Sequence, residues 1–278
     1  MSHNHQKKIA VINDISGFGR CSIAVSMPII SYMGIQCCPV PTSIFSNHTG
    51  FESYYFNDYT PYMRSYIDEW KKLDLRFEGI MTGFLGSKEQ IEIVRDFIKW
   101  FKNEHTMVIM DPAMGENGHP YPTYTDEMCQ EMKRLIEYAD IITPNVTEAC
   151  ILTDTEYKER GWKKQELCDM AKRLLDTGAK KVAISGVRMG HYVGNVIAQQ
   201  GSEPVLLKHE RVGAYRSGTG DIYSAIIASD SINGVDFMAS VKKASGFVKR
   251  CMGVTEKLAI PDTDGLAFEE VLYTLKRD

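Results

Sequence analysis

The sequence Arg216-Ser217-Gly218-Thr219-Gly220-Asp221 leads directly into Ile222-Tyr223-Ser224-Ala225-Ile226-Ile227-Ala228, an apolar run typical of a buried helix. Two glycines before a helix leave backbone N–H groups uncovered, and the positive end of the helix dipole adds to their attraction for anions. An Asp in the first turn brings negative charge to such a site. This favours a proton acceptor beside N–H groups that stabilise a phosphoryl group in transfer. For the motif in isolation, a simple helix start with a dipole-compatible Asp is the better explanation.

The composition is that of an ordinary globular chain, with 278 residues, 44% hydrophobic and 24% charged. A formal net charge of −4 argues against nucleic acid or an anionic membrane surface as the main partner. No apolar run reaches the length of a membrane span, and residues 1–8 lack the apolar region of a signal peptide. The seven cysteines are scattered without a C-x-x-C pair, which indicates neither a zinc site nor a disulfide framework. A reducing, cytoplasmic location is expected.

Segments with strand character alternate with helical patterns along the chain. Strands are predicted over 8–12, 35–40, 79–82, 107–110, 140–143 and 181–185, and helices over 21–33, 60–73, 88–102 and 164–176. Another helix is predicted to end near residue 138, a hairpin over 192–208 precedes the glycine motif, and two further helices finish the chain. Repeated strand–helix units predict an α/β fold with a central, mostly parallel sheet and helices on both faces. One domain over 1–278 is predicted, with residues 1–7 as a flexible N-terminal extension.

Polar residues follow the predicted strands at the points where the strands end. Asp111 ends one strand, Thr143 ends the next and Ser185 ends a third. Each of them alone is better explained as a helix cap or a turn residue. Ligands of such sheets bind beyond the carboxyl ends of the strands, so the recurrence of polar residues at one edge favours a site there.

An acidic segment follows Asp111 and contains Glu116, and Glu148 comes shortly after Thr143. Carboxylates and water, completed by nucleotide phosphates, suit magnesium. A solvated acidic loop is about equally compatible with the composition. The segment 115–122 is rich in Gly and Pro and is predicted to lack regular structure.

A second polar segment, Phe45-Ser46-Asn47-His48-Thr49-Gly50-Phe51, follows the second predicted strand. An imidazole, a hydroxyl, an amide and two aromatic rings could line a pocket for a flat polar ring. A hydrogen-bonded loop histidine is the commoner fate for a residue such as His48.

These motifs together resemble those of the pyridoxal/pyridoxine kinases in the ribokinase-like superfamily, above all the bacterial pyridoxamine kinase branch. The resemblance runs from about Lys8 to the C-terminal helices and depends on the order and spacing of four runs: Ser46-Asn47-His48-Thr49-Gly50, Asp111-Pro112, Thr143-Pro144-Asn145 with Glu148, and Gly218-Thr219-Gly220-Asp221. The last run is specific to the superfamily, whereas the first points to vitamin B6. Hydroxymethylpyrimidine kinases share the fold and the last run, and their N-terminal loop also contains Asp, Ser and Gly, as does Asp14-Ile15-Ser16-Gly17 here.

The resemblance implies a role for each matching residue. Asp221 is expected to be the catalytic base, with an anion hole formed by Gly218, Thr219 and Gly220. ATP is expected to contact Asp111, Thr143, Asn145, Glu148, Ser185, Gly218 and Gly220, with Mg²⁺ near Asp111, Glu116 and Glu148. The B6 vitamer is expected to contact Asn13, Ser16, Ser46, His48, Thr49, Gly50, Phe84 and Asp221. Phe84 stands where relatives often have Tyr, so ring stacking can survive there and a phenol hydrogen bond cannot.

The implied reaction is phosphorylation of the 5′-hydroxymethyl group of pyridoxal, pyridoxine or pyridoxamine by ATP, in vitamin B6 salvage. The segment 115–124 is the expected lid, since excluding water stops ATP hydrolysis from competing. A homodimer is expected, with small molecules as partners, no nucleic acid and no membrane. A requirement for a monovalent cation is left open. Two alternatives remain, a hydroxymethylpyrimidine kinase and a non-catalytic B6-binding protein.

Overall fold

The computed structural model describes residues 3–214 and 216–275, and nine of the eleven strands in that part form one sheet. The eleven strands are β1 Lys8–Ser16, β2 Gln36–Phe45, β3 Phe56–Asp58, β4 Gly79–Thr82, β5 Met107–Met110, β6 Gly115–Glu116, β7 His119–Pro120, β8 Ile141–Ile142, β9 Lys181–Met189, β10 Tyr192–Gln199 and β11 Val205–Glu210. The order across the large sheet is β11-β10-β9-β8-β5-β4-β1-β2-β3, and β6 pairs with β7.

The helices are α1 Ile23–Tyr32, α2 Thr60–Lys72, α3 Lys88–Phe101, α4 Asp126–Leu135, α5 Val146–Leu152, α6 Lys164–Asp176, α7 Thr219–Ile232 and α8 Phe237–Lys257. Short 3₁₀ segments cover Ile136–Tyr138, Asp262–Asp264 and Phe268–Leu275. The six central strands, in the order β9-β8-β5-β4-β1-β2, run parallel to one another. At one edge β3 pairs antiparallel with β2, and at the other edge β10 pairs antiparallel with β9 and β11 with β10. The predicted α/β class with a mostly parallel sheet is confirmed.

The central strands are buried on both faces, which explains their continuous apolar runs. In β1, Ala10 and Ile12 pack with residues of α2 to α6 on one face. Ile9 and Val11 point to the opposite face and pack with α1, α7 and α8. Within the described residues, none of the helices combines the length and the apolar character required to cross a lipid bilayer.

Helix α7 is apolar all round because it is enclosed on nearly every side. Its buried residues run without a break from Ile222 to Ile232. Gly218 caps it with φ 80°, and a Cβ at this position would collide with the backbone carbonyl of Arg20. Glycine is therefore required here both by the left-handed conformation and by the close approach of the loop between β1 and α1.

Several sequence-based predictions differ from the structure. The segment 115–122 is not irregular, because β6 and β7 form a short hairpin within it. Strands β1 and β2 extend four and five residues beyond their predicted ends, and β3 and α5 were not predicted. Within the expected N-terminal extension, Asn4 bonds to Asp74 and Arg76, and Lys7 donates to the carbonyl of Ile232, whereas residues 1 and 2 lie outside the described part. The single-domain organisation stays a prediction.

Candidate active site

The sheet brings four strand ends to the N-terminus of α7. Asn13 lies near the end of β1, Phe84 follows β4, Asp111 follows β5 and Thr143 follows β8. Asp221 lies in the first turn of α7 and faces this edge. The parallel order β8-β5-β4-β1 is the physical reason that residues so distant in sequence meet, since all four strands end on the same side.

Asp221 is a partly exposed carboxylate held by two donors. Asn13 Nδ2 donates to Asp221 Oδ1 at 3.2 Å, and the backbone N–H of Ser22 also donates to this carboxylate. Burial raises the pKa of Asp221, and these two hydrogen bonds oppose that rise because they favour the ionised form. The result is a fixed carboxylate at the positive end of a helix, with the geometry of a proton acceptor.

The glycine motif places uncovered backbone N–H groups beside a second carboxylate. The position of a Cβ on Gly220 lies 3.7 Å from Asp111 Oδ2, so Asp111 borders the first turn of α7. Thr219 Oγ1 donates to the carbonyl of Arg216 at 2.8 Å, and Arg216 is anchored in turn to the carbonyls of Ile260 and Pro261. The first-turn amides of a helix have no intrahelical acceptor, so this rigid turn can bind an anion.

A chain of hydroxyl groups orients Asp111. Ser224 Oγ donates to Asp111 Oδ2 at 2.8 Å and lies 2.8 Å from Thr143 Oγ1. Because the single proton of Ser224 is used on Asp111, Thr143 must donate to Ser224. Burial and the nearby charge of Asp221 raise the pKa of Asp111, and the Ser224 bond opposes them. Sequence reasoning missed Ser224, although its place one helical turn after Asp221 was a usable signal.

Glu148 joins the acidic loop to the start of α5. Its Oε1 accepts the N–H of Met114 at 3.1 Å and its Oε2 accepts the N–H of Asn145 at 2.8 Å. Asn145 completes a capping box by accepting the N–H of Glu148, and its Nδ2 donates to the carbonyl of Gly115. Burial and the charge of Asp111 raise the pKa of Glu148. One carboxylate oxygen therefore already holds the loop after Asp111 in place, and the other is used in the cap of α5.

The three acidic residues expected near magnesium do not assemble into a ligand cluster. Among residues 3–214 and 216–275, no group of three or more His, Cys, Asp or Glu side chains is arranged to hold a metal ion. Glu116 belongs to β6, opposite His119, and Glu148 is used as a cap. Magnesium in kinases is usually bound by one or two carboxylates together with substrate phosphates and water. Asp111, beside the glycine turn, fits that smaller role, and the magnesium requirement stays a prediction.

The residues expected to contact the B6 vitamer divide into a buried group near Asp221 and a group on an exposed rim. Asn13 and Ser16 are buried, and Ser16 Oγ donates to Asp14 Oδ2 at 3.0 Å. Asp14, which sequence reasoning did not assign, also accepts from Ser22 Oγ at 2.6 Å. Burial raises the pKa of Asp14 to about 6, the bond from Ser22 opposes this and the charge of Asp221 adds to it. Asp14 and its two serine partners therefore form a buried polar group that interacts electrostatically with Asp221.

The segment Ser46–Gly50 forms the outer rim, where Thr49 and Gly50 are exposed. His48 is tied to the protein at both ring nitrogens, because Nδ1 accepts the N–H of Gly50 at 3.0 Å and Nε2 lies 2.7 Å from the carbonyl of Thr263. Nε2 must carry the proton to donate to a carbonyl. His48 is therefore a hydrogen-bonded loop histidine in this structure, and its contact with a substrate stays a prediction. Ser46 is likewise bonded, to Asn47 and Tyr55.

An aromatic wall lies between this rim and Asp221. The ring of Phe84 is half-buried and meets Phe45 edge-on, with ring centroids 6.5 Å apart. Thr42 Oγ1 donates to the carbonyl of Phe84, and Asn13 Oδ1 accepts its N–H at 2.8 Å. Ser185 lies on the other flank, where it bridges to Asn145. Through Asn13, the backbone of Phe84 is therefore linked to Asp221.

Comparison with known proteins gives one family match. The family model described as phosphomethylpyrimidine kinase matches residues 29–265. A candidate phosphomethylpyrimidine kinase from Bacteroides thetaiotaomicron, solved with pyridoxal, is 36% identical, with a TM-score of 0.92, and the match covers 97% of this chain and 96% of that one.

Two curated relatives carry different activities in their names. The pyridoxine/pyridoxal/pyridoxamine kinase of Bordetella avium is 26% identical over 89% of this chain and 86% of its own length. The hydroxymethylpyrimidine/phosphomethylpyrimidine kinase of Aquifex aeolicus is 29% identical over 66% of this chain and 71% of its own. Both are kinases, so the comparisons agree on the reaction class and divide on the acceptor.

Proposed function

We propose, since the chain belongs to the phosphomethylpyrimidine kinase family and has the ribokinase-like fold, that it transfers the γ-phosphoryl group of ATP to the 5′-hydroxymethyl group of a B6 vitamer. The acceptor is pyridoxal, pyridoxine or pyridoxamine, and the products are its 5′-phosphate and ADP. The role that follows is vitamin B6 salvage. A cytoplasmic location, expected from the scattered cysteines, and a homodimer belong to the same proposal.

The observation that carries this proposal is the placement of Asp221. Its carboxylate is fixed by Asn13 and Ser22, and it directly follows the uncovered amides of the glycine turn. A base next to an anion site suits transfer of a phosphoryl group to an alcohol, because the reaction both removes a proton and moves negative charge.

Asp221 and the glycine turn handle the proton and the negative charge of the reaction, respectively. Asp221 accepts the proton of the hydroxymethyl group of the acceptor. The hydroxymethyl oxygen then forms a bond to the γ-phosphorus, and the bond from this phosphorus to the leaving ADP oxygen breaks. The amides of Gly218–Gly220 stabilise the charge on the moving group. Magnesium, with Asp111 as its protein ligand, would neutralise charge on the phosphates. The Glu148 and Asn145 bonds hold the loop after Asp111 in position during the reaction.

Support for a pyridine substrate comes from two directions. The Bacteroides relative was solved with pyridoxal, and the Bordetella relative is named for B6 vitamers. The aromatic wall of Phe84 and Phe45 also suits stacking of a flat ring at the entrance to Asp221.

A second candidate acceptor is hydroxymethylpyrimidine, favoured by the family description and by the Aquifex relative. It also combines a flat aromatic ring with a hydroxymethyl group, so the same wall and the same base would serve it.

The test is a substrate panel with purified protein. ADP release and product formation are measured for pyridoxal, pyridoxine, pyridoxamine and hydroxymethylpyrimidine, and kcat/KM is compared. We expect a B6 vitamer to be preferred; preference for the pyrimidine selects the second candidate, and tight pyridoxal binding without turnover selects the binding protein. Asp221→Asn should lower kcat by about 10²–10⁴-fold with little change in ATP affinity. A kcat within a few-fold of wild type contradicts the base assignment.

A further inference from the structure

We propose that Asn13 is a positioning residue that fixes the carboxylate of Asp221, and not a contact of the substrate as the family resemblance implies. The inference rests on the proposed function, because it assumes that Asp221 is the base. Asn13 is only 2% exposed, and its amide joins three elements: β1, the residue after β4 and the first turn of α7.

The orientation of this amide is determined by its partners. Asn13 Oδ1 accepts two backbone N–H groups, from Asp14 at 2.9 Å and from Phe84 at 2.8 Å. An amide nitrogen cannot accept a hydrogen bond, so the reversed orientation would leave both backbone donors facing Nδ2. The oxygen is therefore held towards the backbone, and Nδ2 must face Asp221.

The consequence for Asp221 is a restricted orientation of its carboxylate. Oδ1 accepts from Asn13 Nδ2 at 3.2 Å, which fixes the rotation of the carboxylate. Such a fixed geometry matters because small displacements of a catalytic group can cost a large part of the rate.

The surroundings of Asn13 are built to keep the amide in place. A Cβ on Gly83 would collide with the side-chain amide of Asn13, so the chain leaves room for it only because residue 83 is glycine. The same amide oxygen holds the backbone of Phe84, the residue of the aromatic wall. Asn13 thereby sets the base and the substrate wall relative to each other.

The main test uses Asn13→Asp, which keeps an oxygen for the N–H groups of Asp14 and Phe84 and replaces the donor to Asp221 by a second carboxyl oxygen. Asn13→Ala, which removes the donor without adding a charge, should lower kcat in the same way. With ATP and the best acceptor from the panel, kcat at pH 7.5 should fall by about 10–100-fold. The KM values for both substrates should stay within about threefold. A substrate-contact role predicts the opposite division, with a raised KM for the acceptor and near-normal kcat, and that result overturns the proposal.

A double-mutant cycle shows whether the effect passes through Asp221. In the Asp221→Asn background, Asn13→Asp should change the residual kcat by less than about threefold, because the group it positions is already gone. An equal fall in both backgrounds overturns the proposal. If Asp221→Asn alone leaves kcat near normal, the base assignment fails and the positioning role fails with it. If only Asn13→Asp is silent, the positioning role fails alone.

Gly83→Ala is the second variant, for the case in which Asn13→Asp does not fold. It leaves the chemistry of Asn13 intact and displaces its amide by the added methyl group. The same signature is expected, a lower kcat with both KM values retained. A rate equal to wild type, in a protein whose melting shows that it is folded, overturns the proposal.

Discussion

Replacing Asp14 by Asn should make the protein more stable at neutral pH, and increasingly so as the pH rises from about 4 to about 6. Asp14 is 5% exposed, and its oxygens accept from Ser16 and Ser22. Burial raises its pKa from 3.8 to about 6, against the bond from Ser22 and with the charge of Asp221. The folded protein therefore holds a proton on Asp14 at pH values where the unfolded chain has released it.

The sign and size follow from proton linkage. Where the folded state binds more protons, the free energy of unfolding falls as the pH rises. The contribution of Asp14 is thus most favourable below pH 4 and is lost as the pH passes through about 6. A rise of about two units, at 1.36 kcal/mol per unit, corresponds to about 3 kcal/mol. Asn cannot ionise, so Asp14→Asn removes this pH-dependent loss while keeping a polar group for the two serines.

The assay is denaturant unfolding of wild type and Asp14→Asn at several pH values between 4 and 8. The difference in unfolding free energy should shift in favour of Asn by up to about 3 kcal/mol across this range and level off above pH 7. Asp74→Asn is the matched control, because the Asp74 side chain is 84% exposed and Asn tolerates its left-handed φ of 49°. A difference for Asp14→Asn that is as flat as the control would refute the reasoning.

Two further predictions concern the glycine turn and the acidic loop. Gly218→Ala should destabilise the protein by more than about 2 kcal/mol, since it combines a left-handed backbone with a clash against the carbonyl of Arg20. Gly253→Ala, in open space within α8, should instead stabilise it by about 0.5–1 kcal/mol, and thermal melting of both variants checks the contrast. Turnover should require a divalent cation. Glu148→Gln should raise the concentration of divalent cation needed for turnover, because one of the two backbone N–H groups bound by Glu148 would then face an amide donor. Full activity in excess chelator would contradict this.

The sequence could predict those helices and strands whose pattern of apolar residues is visible within the segment itself. Apolar runs such as Ile9–Ile12 and the amphipathic spacing of α3 are visible locally, and they were placed correctly. Strand β3 carries no such signal, because all three of its residues, Phe56–Asp58, are exposed and it exists only through pairing with β2. Helix α5 has seven residues, too few for a period to show.

The same distinction applies to the site. Asp221 could be proposed as a site residue because its glycine neighbours and the helix behind it are contiguous in sequence. The hydrogen-bond partners of Asn13 and His48 could not be predicted, since they lie about 70 to 215 residues away. A side chain that can bind substrate can equally bind backbone, and only the three-dimensional partners decide which it does.

In the proposed reaction, transfer of the phosphoryl group and recognition of the acceptor depend on different residues. Glu148 is buried, Asp111 and Asp221 are partly buried, and the pKa values of all three are raised, an arrangement that costs stability and is characteristic of functional sites. Their partners are backbone amides and the hydroxyl of Ser224, none of which distinguishes a pyridine from a pyrimidine. Under the proposed function, discrimination between acceptors is expected to come from the wall of Phe84 and the exposed rim at Thr49 and Gly50. Phe84 offers a ring face without a hydroxyl, so it accepts any flat ring of suitable size and cannot select a ring by hydrogen bonding. Under the proposed function, we therefore expect the exposed rim to set the choice between a pyridine and a pyrimidine acceptor.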